Sequence, residues 1–142
     1  MRFASDITID APGEQVWAVY SDVTRWSEWT ASIVGVELLD GATDLVVGTR
    51  ARIRQPKLPV AVWSVTEIEQ GHTWTWVATA PGIRSTATHT VASTGDGTCR
   101  VDSSLTQEGP LGWVIARVYA GLTRRYLAME AAGLKARCES SS

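Results

Sequence analysis

The sequence predicts an α+β domain in which an antiparallel sheet of about seven strands packs against a long C-terminal helix. Three observations support this fold class. An apolar, strand-like segment near the N-terminus is followed by two short helical segments. Turn signals then recur every ten to fourteen residues between Ser32 and Glu108, which is typical of an antiparallel meander. Finally, apolar residues repeat at spacings of three and four from Pro110 to about Arg137.

Composition narrows the class of protein. The 142 residues are enough for one domain with a sizeable core, and we expect that domain to span residues 1–137, with a flexible tail over 138–142. A net charge of −2 argues against a nucleic-acid partner. No apolar run is long enough to span a membrane and no signal-peptide core is present, so we expect a cytoplasmic protein. Cys99 and Cys138 lack metal or redox spacing and are expected to be unpaired.

The N-terminal region concentrates large aromatic side chains on short helices. A first strand is expected from about Phe3 to Ile9, followed by a helix with Pro12 near its first turn. Asp22 is expected to cap a second, short helix that carries Trp26 and Trp29. So many large rings exceed what a small core needs, and they suggest a lined cavity.

Six further strands are expected in the central region. Their predicted ranges are 33–39, 46–55, 59–69, 72–80, 83–93 and 98–108. The last two are joined by Gly95-Asp96-Gly97, a strong hairpin signal. Alternation along these strands places Ile53, Trp74, Trp76 and Leu105 on the buried face.

The same buried face also carries polar groups. They are Gln55, Ser85, His89, Ser103 and Gln107. A solid core rarely accepts so many polar groups, because each must find a hydrogen-bond partner. We therefore expect this face to form the wall of a cavity.

The C-terminal helix has a predicted apolar stripe. Its members are Leu111, Ile115, Val118, Tyr119, Leu122, Tyr126 and Met129. Gly121 interrupts the helix at a cost of about 1 kcal/mol relative to alanine. Close approach to the sheet, or room for a ligand, would explain a glycine there.

The order of elements and several short motifs resemble a known family. The motifs are Val16-Trp17 with Asp22, Trp26 and Trp29, then Gly48, Val65-Thr66-Glu67, Trp76, His89, Gly97-Thr98 and the final helix. The chain resembles the SRPBCC superfamily, which has the START-like helix-grip fold, and within it the polyketide cyclase/dehydrase-type proteins. The resemblance implies a curved sheet wrapped around the long helix, with a deep apolar pocket between them. Members bind lipids, sterols or polyketides, and a minority catalyse reactions.

The candidate ligand-binding residues are those expected to face this pocket. They are Trp26, Trp29, Ile53, Gln55, Trp74, Trp76, His89, Ser103, Leu105, Trp113, Tyr119 and Leu122. His89 is the one titratable group predicted to point inward. It is either a hydrogen-bonded core histidine, with a pKa lowered by burial, or a weak catalytic candidate. No carboxylate is expected beside it. Without a metal-spaced histidine pair or a glycine-rich phosphate loop, neither a metal nor a cofactor is expected.

Three functional hypotheses follow. The first is binding of a small hydrophobic ligand that is lipid-, sterol- or polyketide-like. The alternative is an aromatase/cyclase-like enzyme that uses His89 as a proton shuttle. The third is an interaction module that acts on a partner protein through its rim. The expected partner is a small hydrophobic molecule rather than a nucleic acid or an integral membrane, and the chain is expected to be a monomer or homodimer.

Overall fold

The computed structural model describes residues 1–95 and 97–140 and contains seven strands and four helices there. The strands are β1 (Arg2–Ile9), β2 (Gly35–Leu38), β3 (Arg50–Arg54), β4 (Ala61–Glu69), β5 (Thr73–Ala80), β6 (Ile83–Gly95) and β7 (Thr98–Glu108). The helices are α1 (Gly13–Ser21), a 3-10 helix (Val23–Glu28), α2 (Gly112–Val118) and α3 (Ala120–Ser140).

The seven strands form one curved antiparallel sheet in the order β1-β7-β6-β5-β4-β3-β2. Each strand after β1 therefore lies beside the next strand in sequence, and β1 closes the far edge against β7. Helix α3 crosses the inner face near β1 and α1. Lys135 Nζ donates to the Thr8 carbonyl at 3.0 Å, and Gln15 Nε2 donates to the Cys138 carbonyl at 3.1 Å. This arrangement confirms the predicted helix-grip fold.

The strand faces follow the predicted alternation. On β3, Ala51 and Ile53 are buried, whereas Arg50 and Arg52 point outward to exposed ion pairs with Asp40 and Glu37. Such exposed ion pairs contribute little to stability, so burial of the apolar face fixes the register here.

The strand boundaries agree best where a hairpin connects two long strands. Strand β7 has the predicted range, and Gly95 pairs with Thr98 across the predicted hairpin, although Asp96 itself lies outside the described residues. Strands β2 and β3 are shorter than predicted. A turn delays β3, because the Thr49 N–H donates to the Val46 carbonyl at 3.0 Å and Gly48 adopts a φ of 95°.

The N-terminal helices start at the predicted positions but with a different cap. The Val16 N–H donates to the Pro12 carbonyl at 3.1 Å, which is consistent with a helix start at the proline. Asp22 precedes the 3-10 helix, but its side chain makes no capping hydrogen bond to the backbone. Its carboxylate instead accepts a hydrogen bond from the Thr24 hydroxyl at 3.4 Å. The predicted capping role of Asp22 is wrong, because its carboxylate accepts from the Thr24 hydroxyl instead of from a backbone N–H of the helix.

The C-terminal helix differs from the single helix predicted by the apolar spacing. It is divided at Tyr119 into α2 and α3. The β-branched residues before this point and Gly121 after it have low helix propensity. The Thr123 N–H still donates to the Tyr119 carbonyl at 2.8 Å. Within the predicted apolar stripe, Leu111 and Val118 are exposed. The expected stripe is therefore wrong at its N-terminal end, where α2 lies at the periphery of the sheet.

The end of α3 reaches into the segment 138–142 for which the sequence predicts a flexible tail, and residues 141–142 of that segment lie outside the described residues. The helix continues to Ser140, and Cys138 is fully buried. Glu139 accepts hydrogen bonds from the Asp10 backbone N–H at 2.9 Å and from Lys135 at 2.6 Å. These contacts attach the last described turn to the end of β1.

A close approach to α3 occurs at Gly133 rather than at Gly121. A Cβ atom added at Gly133 would lie 2.0 Å from the carbonyl oxygen of Trp29. A Cβ atom added at Gly121 would meet nothing within 4 Å. Gly133 therefore lets the segment after the 3-10 helix lie directly on α3, and the predicted explanations for Gly121 are wrong.

We predict opposite effects of the same substitution at these two helical glycines. Gly133→Ala should lower the free energy of unfolding by about 3 kcal/mol, because the Trp29 backbone must move. Gly121→Ala should raise it by up to about 1 kcal/mol, because alanine is the better helix former and has free space. Urea unfolding of both variants measures these changes. Equal, small effects at the two positions would contradict the contact between Gly133 and Trp29.

Candidate functional site

A cavity of about 100 Å³ lies between the inner face of the sheet and α3. Its walls are mostly aromatic and aliphatic, with a few polar side chains among them. The lining residues are Trp26, Ile33, Ile53, Gln55, Leu58, Trp63, Trp76, Ala87, His89, Ser103, Ser104, Leu105, Thr123, Tyr126, Leu127 and Glu130. The cavity therefore combines an apolar body with a small number of polar groups, which is the usual composition of a small-molecule site.

Three tryptophans form the aromatic wall of the cavity. The ring of Trp76 lies 5.7 Å from that of Trp26 and 6.1 Å from that of Trp63, measured between centroids. Trp26 is held in place because its indole N–H donates to the Tyr20 carbonyl at 2.7 Å. The wall is thus assembled from the 3-10 helix and two neighbouring strands, and it is anchored to α1.

His89 is a buried, neutral residue of this wall. Its ring stacks on Trp74 with centroids 4.1 Å apart and planes inclined by 15°. Burial lowers the pKa of His89 to about 3, although a contact with the Trp74 carbonyl raises it somewhat. This result agrees with the expected lowering. Nδ1 lies 3.4 Å from that carbonyl, which can only accept, so the proton belongs on Nδ1 and Nε2 is left as an acceptor.

Glu130 of α3 is a carboxylate in a cavity where none was expected. Burial raises the pKa of Glu130 to about 7. Among the described residues it has no hydrogen-bond or ion-pair partner that would lower this pKa. It also contributes, after burial itself, to raising the pKa of Tyr20 well above its ordinary value. The expectation concerned the sheet face beside His89, whereas this acid comes from α3, whose polar residues were not expected to reach the cavity.

The remaining polar groups of the cavity are partly engaged with the protein. Gln55 Nε2 donates to the Ser32 carbonyl at 3.3 Å, which leaves its Oε1 available as an acceptor. The Tyr126 hydroxyl donates to the Pro56 carbonyl and thereby ties α3 to the segment after β3. Ser103 interacts with the hydroxyl of Tyr20.

The structure brings some of the predicted site residues together and separates others from them. The predicted residues that line the cavity are Trp26, Ile53, Gln55, Trp76, His89, Ser103 and Leu105. Those outside its lining are Trp29, Trp74, Trp113, Tyr119 and Leu122.

Each of the separated tryptophans has a physical reason for its position. Trp74 is completely buried under His89 and α1 and belongs to the core. Trp29 contacts α3 at Gly133. Trp113 is 60% exposed on α2, and the Arg117 guanidinium lies 5.3 Å from its ring centroid. Tyr119 precedes α3 and lies one turn before Thr123, the first helical residue that lines the cavity, whereas Leu122 is the residue directly before Thr123.

Sequence reasoning missed the helical side of the cavity. Thr123, Tyr126, Leu127 and Glu130 line it and follow one another at helical spacing. Leu134 continues the same face and is buried. Glu130 lies four residues after buried Tyr126 and four residues before buried Leu134. A helical stripe that is defined by spacing alone, with polar residues included, therefore contains Glu130.

Clusters of metal-ligating side chains and membrane-spanning helices are both absent from the described residues. No group of three or more histidine, cysteine, aspartate or glutamate side chains there is arranged to hold a metal ion. Over residues 1–95 and 97–140, no helix is both long and apolar enough to cross a membrane.

A curved sheet closed over a long helix, with a mainly apolar cavity between them, defines a helix-grip domain with an internal cavity. Comparison of sequences places the chain within this class. It belongs to the family described as polyketide cyclase/dehydrase and lipid transport, whose sequence profile matches residues 1–139. A search of curated proteins gave no match to the chain.

Solved structures with the same fold include proteins of several kinds. The di-domain ARO/CYC BexL of the BE-7585A biosynthetic pathway matches 94% of this chain at 18% identity, with a TM-score of 0.71. This chain spans about half of that protein, 46% of its length. A START superfamily protein from Mycobacterium smegmatis matches at 14% identity over 99% of both chains, with a TM-score of 0.74.

A plant protein shares the fold as well. A point mutant of norcoclaurine synthase from Thalictrum flavum, solved in complex with a transition-state analogue, matches at 16% identity with a TM-score of 0.73. The match covers 100% of this chain and 96% of that one. At these identities the similarities establish the fold, and they leave the activity to be argued from the cavity.

Burial shifts the pKa values of Glu130 and His89 in opposite directions, with opposite consequences for stability. The pKa of Glu130 rises from 4.5 to about 7, so its contribution favours the folded state below pH 4.5 and is lost as the pH rises towards 7. The pKa of His89 falls from 6.5 to about 3, so its contribution is present above pH 6.5 and is lost as the pH falls towards 3.

We predict that Glu130→Gln and His89→Gln separate these two effects. The unfolding free energy of Glu130→Gln relative to wild type should increase by about 1–3 kcal/mol between about pH 4.5 and pH 7.5, because the variant has no carboxylate to ionise. The relative stability of His89→Gln should change in the opposite direction, decreasing as the pH rises towards 6.5. Urea unfolding at a series of pH values measures both. A Glu130→Gln difference that is independent of pH would show that the carboxylate is well solvated.

Proposed function

We propose that this protein binds a small hydrophobic molecule in the cavity between the sheet and α3. The observation that carries the proposal is the composition of the cavity wall, in which aromatic and aliphatic side chains surround a few inward polar groups. A wall of this kind removes apolar surface from water and leaves polar groups to orient one end of a ligand. Membership of a family described by polyketide cyclase/dehydrase and lipid transport supports the same class of ligand.

The size of the cavity limits what it takes without rearrangement. Its volume of about 100 Å³ is below the roughly 300–1,000 Å³ of sites for drug-sized ligands. It is closer to the cavity of about 150 Å³ that accepts benzene in another protein. We therefore propose a ligand portion about the size of one ring. A sterol, a long lipid or an extended polyketide would require α3 to move from the segment at Pro56, to which the Tyr126 hydroxyl is bonded.

A second candidate function is a polyketide cyclase-like enzyme. The observation that favours it is Glu130, whose pKa of about 7 is suited to removing and returning a proton near neutral pH. His89 is less suited to act as the proton shuttle. Its pKa of about 3 means that the imidazole does not take up a second proton at neutral pH. In such an enzyme we assign the acid–base role to Glu130 and hydrogen bonding of a substrate carbonyl to the polar wall.

We also propose a cellular location and an oligomeric state for the protein. A cytoplasmic protein is favoured by the two unpaired, buried cysteines, Cys99 and Cys138. Burial raises the pKa of both thiols, to about 11 for Cys138, so neither is an activated nucleophile. A monomer or a homodimer without a nucleic-acid partner is proposed, and size-exclusion chromatography with light scattering distinguishes the two states.

We predict that filling the cavity abolishes ligand binding. Ala87→Leu places three more carbons in the cavity wall, whereas Ala92→Leu makes the same change on the opposite face of the same strand. Ala87→Leu should weaken the binding of toluene or benzyl alcohol at least about tenfold, and Ala92→Leu should leave it unchanged. Calorimetric titration measures the affinities, and urea unfolding verifies that both variants fold. Equal affinities in the two variants would place any ligand site elsewhere.

The enzyme candidate has its own test, which uses a short poly-β-ketone chain as substrate. Glu130→Gln should lower the rate of cyclisation about a hundredfold or more if the carboxylate transfers the proton. His89→Gln, which keeps hydrogen-bonding capacity, should retain most of the rate. Loss of rate in His89→Gln with full activity in Glu130→Gln would instead support His89 as the proton shuttle. Product analysis by chromatography follows the reaction.

A further inference from the structure

Three polar groups of the cavity present hydrogen-bond acceptors, in addition to the hydroxyls of Ser103, Ser104 and Thr123, which can donate or accept. Glu130 supplies a carboxylate with no hydrogen-bond or ion-pair partner among the described residues. Neutral His89 exposes Nε2 as an acceptor because its Nδ1 proton is directed to the Trp74 carbonyl. Gln55 offers Oε1 because its amide N–H donates to Ser32. A ligand that carries hydrogen-bond donors therefore matches these groups, and Glu130 is the one among them that can also carry a charge.

The electrostatic character of the walls points to a positively charged donor group. Trp26, Trp63 and Trp76 provide aromatic rings, whose faces attract cations. Of the described residues that line the cavity, Glu130 and His89 alone are titratable in the range of physiological pH, and His89 is neutral there. No arginine or lysine is present among these lining residues to balance the carboxylate. When Glu130 is ionised, the site thus holds an uncompensated negative charge beside aromatic rings.

We propose that the cavity selects a small organic ammonium ion, an amine attached to an apolar group about the size of one ring, with the ammonium directed to Glu130 and the apolar group against the tryptophans. This proposal rests on the proposed binding function and specifies its ligand class. An ammonium group supplies up to three donors and one positive charge, which matches the acceptors and the carboxylate. The same carboxylate repels fatty acids and other anions, so the cavity discriminates by charge as well as by size.

The affinity for the cation depends on the ionisation of Glu130. The other titratable groups in the cavity lining are His89 of β6 and Tyr126 of α3, and Tyr20 of α1 is close enough to interact electrostatically with Glu130. Burial raises the pKa of Tyr20 and lowers the pKa of His89, so both remain neutral between about pH 5 and pH 8. Glu130, with a pKa of about 7, is then the group that titrates in this range. Because protonation removes its charge, binding of an ammonium ion should weaken as the pH falls.

The test compares three probes that share one ring and differ in charge. They are benzylamine, benzyl alcohol and benzoate, titrated into the full chain by calorimetry. An alkylamine keeps its charge through about pH 8, so changes in affinity over this range report on the protein. At about pH 8 benzylamine should bind at least about tenfold more tightly than benzyl alcohol, and benzoate should bind most weakly. At about pH 5.5 the preference for benzylamine should fall by roughly tenfold or more.

Two matched variants assign the effect to one carboxylate. Glu130→Gln should remove the preference for benzylamine and its pH dependence while keeping the affinity for benzyl alcohol. Glu67→Gln, which removes an exposed acid on β4, should keep both the preference and its pH dependence. If wild type binds benzyl alcohol as tightly as benzylamine, the ammonium proposal is overturned and hydrophobic binding stands. If folded wild type binds none of the probes, the proposed function and the ammonium proposal both fail.

Discussion

The contact on which the rest of this structure depends is the burial of Trp74 between the sheet and the N-terminal helices. Its ring lies 4.1 Å from that of His89, 5.0 Å from that of Tyr20 and 5.6 Å from that of Trp17, measured between centroids. Strands β5 and β6 and helix α1 are joined through this one side chain. Because Tyr20 in turn binds the indole of Trp26, the position of the cavity wall follows from the same packing. A cavity can persist beside this cluster because the cluster itself supplies the apolar burial.

The cavity also contains a group that works against stability. An isolated carboxylate loses hydration on burial, and Glu130 has no cation among the described residues to compensate for that loss. Elsewhere the described acids follow the opposite pattern, since Asp6, Glu28, Glu37 and Asp40 make exposed ion pairs with arginines. Acids in a cleft whose pKa values are strongly shifted are concentrated at functional sites. An apolar residue fills a purely structural position more favourably than such an acid does. The raised pKa of Glu130 and its place in the cavity lining therefore mark it as a candidate functional group.

Much of the fold could be predicted from the sequence, because period-2 alternation and turn residues determine a strand's faces and its approximate ends. Alternation shows which face of the sheet a side chain lies on, but not which element covers it there. It therefore could not distinguish Trp74, which is covered by α1, from Trp76, which reaches the cavity. The helical side was harder to predict. A stripe defined by apolar residues alone included exposed Val118 and excluded Glu130, since the pattern does not reveal where the sheet ends beneath a helix. The role of Gly133 depends on a contact with the distant Trp29, which local sequence does not contain.

Glu130 and His89 show how one cavity can hold two titratable groups in different states. Burial opposes charge on both, and it therefore moves the pKa of the acid up and that of the base down. His89 becomes a permanent neutral acceptor, whereas Glu130 remains poised between its two forms near neutral pH. A bound cation would lower the pKa of Glu130 and fix its charge, while a bound ketone would leave it free to exchange a proton. In the two proposed functions, ligand binding and proton transfer would be alternative uses of the same partly buried carboxylate, and the charge of the ligand would determine which of them the cavity supports.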